Sequence, residues 1–162
     1  MTLCAGCVLP VGPRFEDPAP VENVPPFIKS TMPVQGSTVT GTSSAQFSVT
    51  FTDLNADALH VRWVGEYPPY TSSSHVLQSD QDYPVPLNRQ PVDTLNMITV
   101  SCVLNPLALT NQHAIAVFIS DQPFWTDPSD PDAPTDPEQF LTQNTAKSVT
   151  AEANWLLNLP CH

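Results

Sequence analysis

Charge is scarce in this chain, and what there is has mostly one sign. Asp, Glu, Lys and Arg make up 13% of the 162 residues, and sixteen acids face five bases (Arg14, Lys29, Arg62, Arg89 and Lys147), for a net charge of −11. Nucleic-acid recognition needs a basic surface to displace counterions, so that class is excluded. Adsorption to anionic lipid headgroups is excluded on the same ground. No apolar run is long enough for a membrane-spanning helix. Glycine occupies only positions 6, 12, 36, 41 and 65, too few and too dispersed for a phosphate-cradling loop. GxSxG and HExxH do not occur. His60, His75, His113 and His162 are scattered, and no pattern singles out a pair of carboxylates for glycoside hydrolysis.

Cysteine is also rare, at four residues, and two of these fall at the start. Cys7 follows Ala5-Gly6 at the end of a short apolar segment. Small residues before a cysteine let a signal peptidase reach the backbone, and the thiol can then accept a diacylglycerol. Lipidation at Cys7 is therefore expected, with the membrane reached through that lipid. Met1–Gly6 is short for a signal and carries no Lys or Arg, so the reading frame is expected to begin further upstream. A plain terminus with two ordinary cysteines is the competing reading. A redox CxxC or half zinc site is disfavoured, because Pro10 and Pro13 prevent the helix a redox CxxC should open.

What the chain has in quantity is proline, nineteen residues. Six lie between residues 8 and 26 with few bulky apolar neighbours, a composition that favours extended polyproline II. At about 3.1 Å per residue such a stalk spans on the order of 60 Å. The expected organisation is residues 1–7 as a truncated lipoprotein signal, 8–26 as a proline-rich linker and 27–162 as one β-domain.

Within 27–162 the dominant pattern is period-2 alternation, the mark of half-buried strands. Phe47, Val49 and Phe51 alternate with polar residues; so do Leu59, Val61 and Trp63, with His60 and Arg62 on the outward parity. Ile98, Val100, Cys102 and Leu104 form another inward row, as do Ile115, Val117 and Ile119, and Val149 to Leu159. With Phe27–Met32, Thr38–Thr40 and His75–Gln78 this predicts seven or eight strands, an antiparallel sandwich. One helix is expected, with Asp136 as N-cap, Pro137 in its first position and Glu138–Gln143 following. Cys102 and Cys161 both fall on inward parity, so a Cys102–Cys161 disulfide is expected, which fits an oxidising compartment outside the cytoplasm.

Four stretches carry a family resemblance. Pro25-Pro26-Phe27-Ile28-Lys29-Ser30 through Pro33 and Gly36-Ser37 resembles the first strand of immunoglobulin-like and fibronectin-type-III-like bacterial modules. Phe47-Ser48-Val49, the acidic turn Thr52–Asp57 and Leu59–Trp63 resemble their B strand, B–C turn and C strand, with Trp63 as the core tryptophan. With the CAGC start and the stalk, the chain is similar to surface lipoproteins of myxobacteria and related bacteria. The resemblance implies an immunoglobulin-like sandwich anchored in the cell envelope, as an outer-membrane lipoprotein on the surface or in the periplasm. It departs from antibody domains, since strands B and F carry no cysteine. Fold analogy does not supply function.

Two candidate sites follow from side-chain chemistry. Asp53, Asn55 and Asp57 alternate oxygen ligands as calcium loops do, but lack the Gly and distal Glu of an EF-hand. The same residues fit an Asx-type turn, the reading preferred here. Tyr67, Tyr70, Phe124 and Trp125 lie on predicted loops and can bury apolar area on a partner; they can equally cap the core. The run Asp127, Asp130, Asp132, Asp136 and Glu138, interleaved with prolines, is expected to be an extended solvated loop. The resulting expectation is a non-catalytic domain with a structural or binding role, without cofactor, contacting an envelope protein or polysaccharide. The alternatives are a calcium-dependent adhesion module and a small carbohydrate-acting or metal-dependent enzyme.

Overall fold

The computed structural model describes residues 24–103, 107, 111–127, 132–142 and 150–161. Cys7 and almost all of the proline-rich stretch lie outside these residues. The described chain is nearly all β. Its elements are β1 (Phe27–Met32), β2 (Thr38–Thr40), β3 (Ser44–Thr52), β4 (Leu59–Gly65), β5 (His75–Val76), β6 (Gln81–Tyr83), β7 (Thr94–Ser101), β8 (Gln112–Ser120), α1 (Pro137–Thr142) and β9 (Thr150–Asn158).

The strands form two open sheets. One has the order β1-β3-β7; the other runs β2-β9-β8-β4-β5, with β6 also pairing with β4. All pairings are antiparallel except that of β2 with β9, which is parallel. The predicted inward rows meet in one core: Phe47, Val49 and Phe51 with Ile98 and Val100 from the first sheet, and Leu59, Val61, Trp63, Ile115, Val117, Ile119, Trp155 and Leu157 from the second. Phe47 lies 5.3 Å from Trp155 and 6.5 Å from Trp63, centroid to centroid, and the two indoles stack at 5.8 Å. Both indole N–H groups are satisfied, as burial demands. Trp155 Nε1 donates to the Pro33 carbonyl at 2.9 Å. Trp63 Nε1 donates to Asn96 Oδ1 at 2.7 Å, and Asn96 Nδ2 donates to Tyr83 Oη at 2.8 Å. Asn96 shares the inward parity of Ile98 and Val100, so this polar chain is built into the hydrophobic row.

The predicted cysteine pair is joined. Cys102 and Cys161 form a disulfide with Cα atoms 5.4 Å apart. β7 ends at Ser101, so Cys102 sits just past its strand rather than inside it, and Cys161 lies three residues beyond β9. Alternation nevertheless continues through Leu159 and Cys161, both buried. The bond ties an end of one sheet to an end of the other.

His113 anchors the same end. It lies on the inward row of β8 and is 0% exposed. Its Nδ1 is 2.8 Å from Glu66 Oε1 and its Nε2 is 2.9 Å from the Leu159 carbonyl. The two contacts hold the ring between the loop after β4 and the chain after β9. Leu159 in turn donates its own N–H to the Asn111 carbonyl at 3.0 Å.

The helix forms where the capping pattern placed it. Asp136 Oδ1 accepts from the Glu138 amide at 3.0 Å, and Phe140 N–H closes the first turn onto the Asp136 carbonyl. β6 has no alternating apolar pattern and was not anticipated.

Candidate binding cleft

The outward parity of β4 and β8 is where the structure departs most from expectation. Arg62, read as a solvent-facing residue, is only 3% exposed. Phe124 and Trp125 of the loop after β8, and Glu138 and Phe140 of α1, reach this side of the sheet, while Asp127, Asp132 and Asp136 of the acidic run are exposed and Asp130 lies outside the described residues. Val64, Ala116, Phe118 and Phe124 make a second apolar cluster here, with Tyr67 packed against it.

Arg62 binds the cover to the sheet. Nε donates to Asp80 Oδ1 at 2.8 Å and Nη2 to Asp80 Oδ2 at 2.7 Å, the two-pronged geometry that suits a guanidinium. The same fork reaches two backbone carbonyls of the cover, Trp125 at 2.9 Å and Phe140 at 3.2 Å. The guanidinium carbon stands 4.7 Å above the centre of the Phe124 ring. Phe124 is therefore buried under Arg62 and cannot serve as an exposed contact, which corrects its assignment as a binding residue.

The remaining three aromatics divide. Trp125 and Tyr70 are half-buried on their loops. Tyr67 lies against Phe118, ring centres 5.7 Å apart, and its hydroxyl donates to Glu138 Oε1 at 3.1 Å. Around that contact opens a cleft of about 340 Å³, lined by Tyr67, Phe118, Asp136, Glu138, Gln139, Thr150 and Glu152. Strand register explains the floor, because Arg62, Phe118 and Glu152 are cross-strand neighbours on the outer face. The helix supplies the opposite wall. Asp136 and Glu138 arrive there because the capped first turn of α1 points them back toward the sheet.

Three carboxylates thus rim a cleft with an aromatic side. Burial, the hydrogen bond to Glu138 and the charges of Glu138 and Glu152 push the Tyr67 phenol up to about 12. At neutral pH it is a hydrogen-bond donor and not a base. Asp136 spends one oxygen on its helix cap. A rim of negative charge beside ring faces suits a cationic group.

The Asp53 turn is closed on itself. Asp53 is buried, with Oδ1 accepting from the Asn55 amide at 3.2 Å and Oδ2 from the Asp57 amide at 2.8 Å. Asp53, Asn55 and Asp57 form an Asx-type turn, with both Asp53 oxygens accepting from backbone amides. The Asp57 carboxyl is raised above its usual range by burial first, then by the charges of Asp53 and Asp121. Among the described residues no three His, Cys, Asp or Glu side chains converge as metal ligands, and no helix is long and apolar enough to cross a membrane.

Alternation alone did not signal the cleft, since it draws on β8, β9, α1 and the loop after β4. Comparison with protein-family models, with curated proteins and with solved structures found no match for this chain.

Proposed function

We propose that this chain is a non-catalytic, immunoglobulin-like binding domain of a bacterial cell envelope, anchored through a lipid on Cys7. Its partner is a protein that presents basic side chains. The observation that carries the reading is the cleft of Tyr67, Phe118, Asp136, Glu138 and Glu152. A lysine or arginine entering it gains carboxylate partners and an aromatic face together, and a rim that is partly enclosed is screened less than open surface charge. Of the aromatic loop residues the proposed contact keeps Tyr67, and Asp136 and Glu138 of the acidic segment join it.

The strand order supports the immunoglobulin-like part of the proposal. β1-β3-β7 facing β9-β8-β4 corresponds to A-B-E facing G-F-C in that fold, with β2 alongside the last strand. The cross-sheet disulfide supports an oxidising, extracytoplasmic location.

A tetra-arginine peptide tests the cleft. Added to isotope-labelled full chain, it should shift the resonances of Tyr67, Phe118 and Glu152 saturably, with weakening as salt rises. Glu138→Gln with Glu152→Gln should abolish these shifts while the circular dichroism spectrum is kept. Shifts spread evenly over the acidic surface, or unaltered in the double variant, refute the site. For the anchor, Cys7→Ser in a reading frame with a complete export signal should move the protein out of the detergent phase; retention there refutes lipidation.

A further inference from the structure

Unpaired sheet edges invite added strands, and folded proteins blunt them with brevity, charge, proline or bulges. Among the described residues the two sheets have four edges, and three of them are blunted. In the larger sheet β2 has three residues, and the opposite edge is divided between β5, of two residues, and β6, of three with Asp82 among them. In the smaller sheet β1 is broken by a register shift between Ile28 and Ser30, carries Lys29 and is bracketed by Pro26 and Pro33.

The fourth edge has none of these devices. β7 runs eight residues, Thr94–Ser101, in unbroken register with β3. It contains no charge and no proline. Among the described residues, the backbone of 94–100 makes no hydrogen bond outside its ladder with β3. Leu95 and Met97 on its outer face are 55% and 53% exposed, and Met32 across the same sheet is exposed as well. From Thr94 to Ser120 the chain has no Asp, Glu, Lys or Arg. Asp93, just before β7, is paired with Lys29 at 2.6 Å.

We propose that the β7 edge is a self-association surface, on which a second copy of this chain adds its own β7 antiparallel. Charge selects that occupant. Two molecules of net charge −11 repel over most approaches, and this edge is where they can meet without opposing like charges. Antiparallel pairing of identical strands is two-fold symmetric and closes at a dimer. With Met97 opposite Met97 of the second copy, Leu95 lies opposite Thr99, and apolar side chains line the seam. The contact is about 27 Å long at roughly 3.4 Å per residue, well short of a standard interface, so the dimer is reversible and forms in the micromolar range or above.

Sedimentation velocity on the full chain, from low-micromolar to near-millimolar concentration, should show a monomer–dimer equilibrium. Met97→Lys sets two like charges face to face across the two-fold and should weaken dimerisation at least tenfold, with an unchanged thermal midpoint because the side chain is outward. Met97→Cys should crosslink through residue 97, mapped by mass spectrometry, since paired positions bring Cα atoms within disulfide range. A chain that stays monomeric throughout overturns the proposal. So does a dimer that Met97→Lys leaves intact, or one whose Met97→Cys variant never crosslinks at 97. A monomer that captures an added peptide of extended, neutral sequence at β7 assigns the edge to a foreign strand and likewise overturns self-pairing.

Discussion

Arg62→Ala is the sharpest probe of how the outer face is built. The wild-type guanidinium is buried and makes a two-pronged pair with Asp80, whose side chain is 18% exposed. Removing one member of a buried ion pair costs about 3–5 kcal/mol, mainly because the other charge is left uncompensated. Residual exposure of Asp80 places this pair near the lower end, at about 3 kcal/mol. Loss of the contact with Phe124 adds about 0.5–1 kcal/mol, and the Trp125 and Phe140 carbonyls lose a donor. The expected total is about 3–4 kcal/mol, read from urea denaturation of the wild type and variant. Part of the loss should be local. Limited proteolysis should cut between residues 125 and 140 much faster in the variant, because the cover has lost its fastening. Arg62→Met combined with Asp80→Leu should recover most of the stability, since no charge is then stranded. An Arg62→Ala protein within about 1 kcal/mol of wild type, with unchanged cleavage, would refute the assignment of Arg62 as the fastening.

Four further outcomes follow from particular contacts. Replacing both Cys102 and Cys161 by Ala opens a loop with a sequence separation of 59 and should cost about 4 kcal/mol by loop-closure entropy; a loss below about 1 kcal/mol in urea denaturation would contradict the staple. Asn96→Leu strands the buried Trp63 N–H and removes the partner of the half-buried Tyr83 hydroxyl, and should cost about 1–3 kcal/mol, chiefly through the indole, with a shifted Trp emission as the companion signal. Asp57 has a raised carboxyl pKa, so its contribution to stability is present at acid pH and declines as pH rises through the folded-state value. Asp57→Asn should therefore raise the melting temperature at pH 7 and change it little near pH 3; an equal shift at both would rule out charge as the cause. Spectrophotometric titration should show one of the three tyrosines ionising near pH 12, and Tyr67→Phe should remove that step.

Much of the fold can be read from local pattern because a strand's side chains alternate with a period of two. Rows such as Phe47-Val49-Phe51 and Ile115-Val117-Ile119 announce their buried side before any partner is known. Cap chemistry is equally local, and Asp136-Pro137 marks the helix start without reference to the sheet. Cys102 and Cys161 were paired by elimination and parity, both properties of the chain itself. His113 was within reach of the same rule, since it continues the row of Ile115, but a polar residue at an inward position was not counted as core. Asn96 escaped for the same reason.

Alternation tells which side of a strand a residue takes; it cannot tell whether that side is covered. The outward side of β4 is covered by chain that follows sixty residues later, and Arg62 is buried only because Asp80, Trp125 and Phe140 converge on it from three separate segments. The cleft has the same origin. Tyr67, Glu138 and Glu152 are far apart along the chain, and a local pattern carries no information about their meeting. The sequence by itself determined the alternating strands, the helix cap and the cysteine parity, because each rests on neighbours one to four residues away. Only the tertiary structure decided which outward face is dry, what α1 packs on and which strand edge is unpaired among the described residues, because those depend on packing between segments that alternation does not describe.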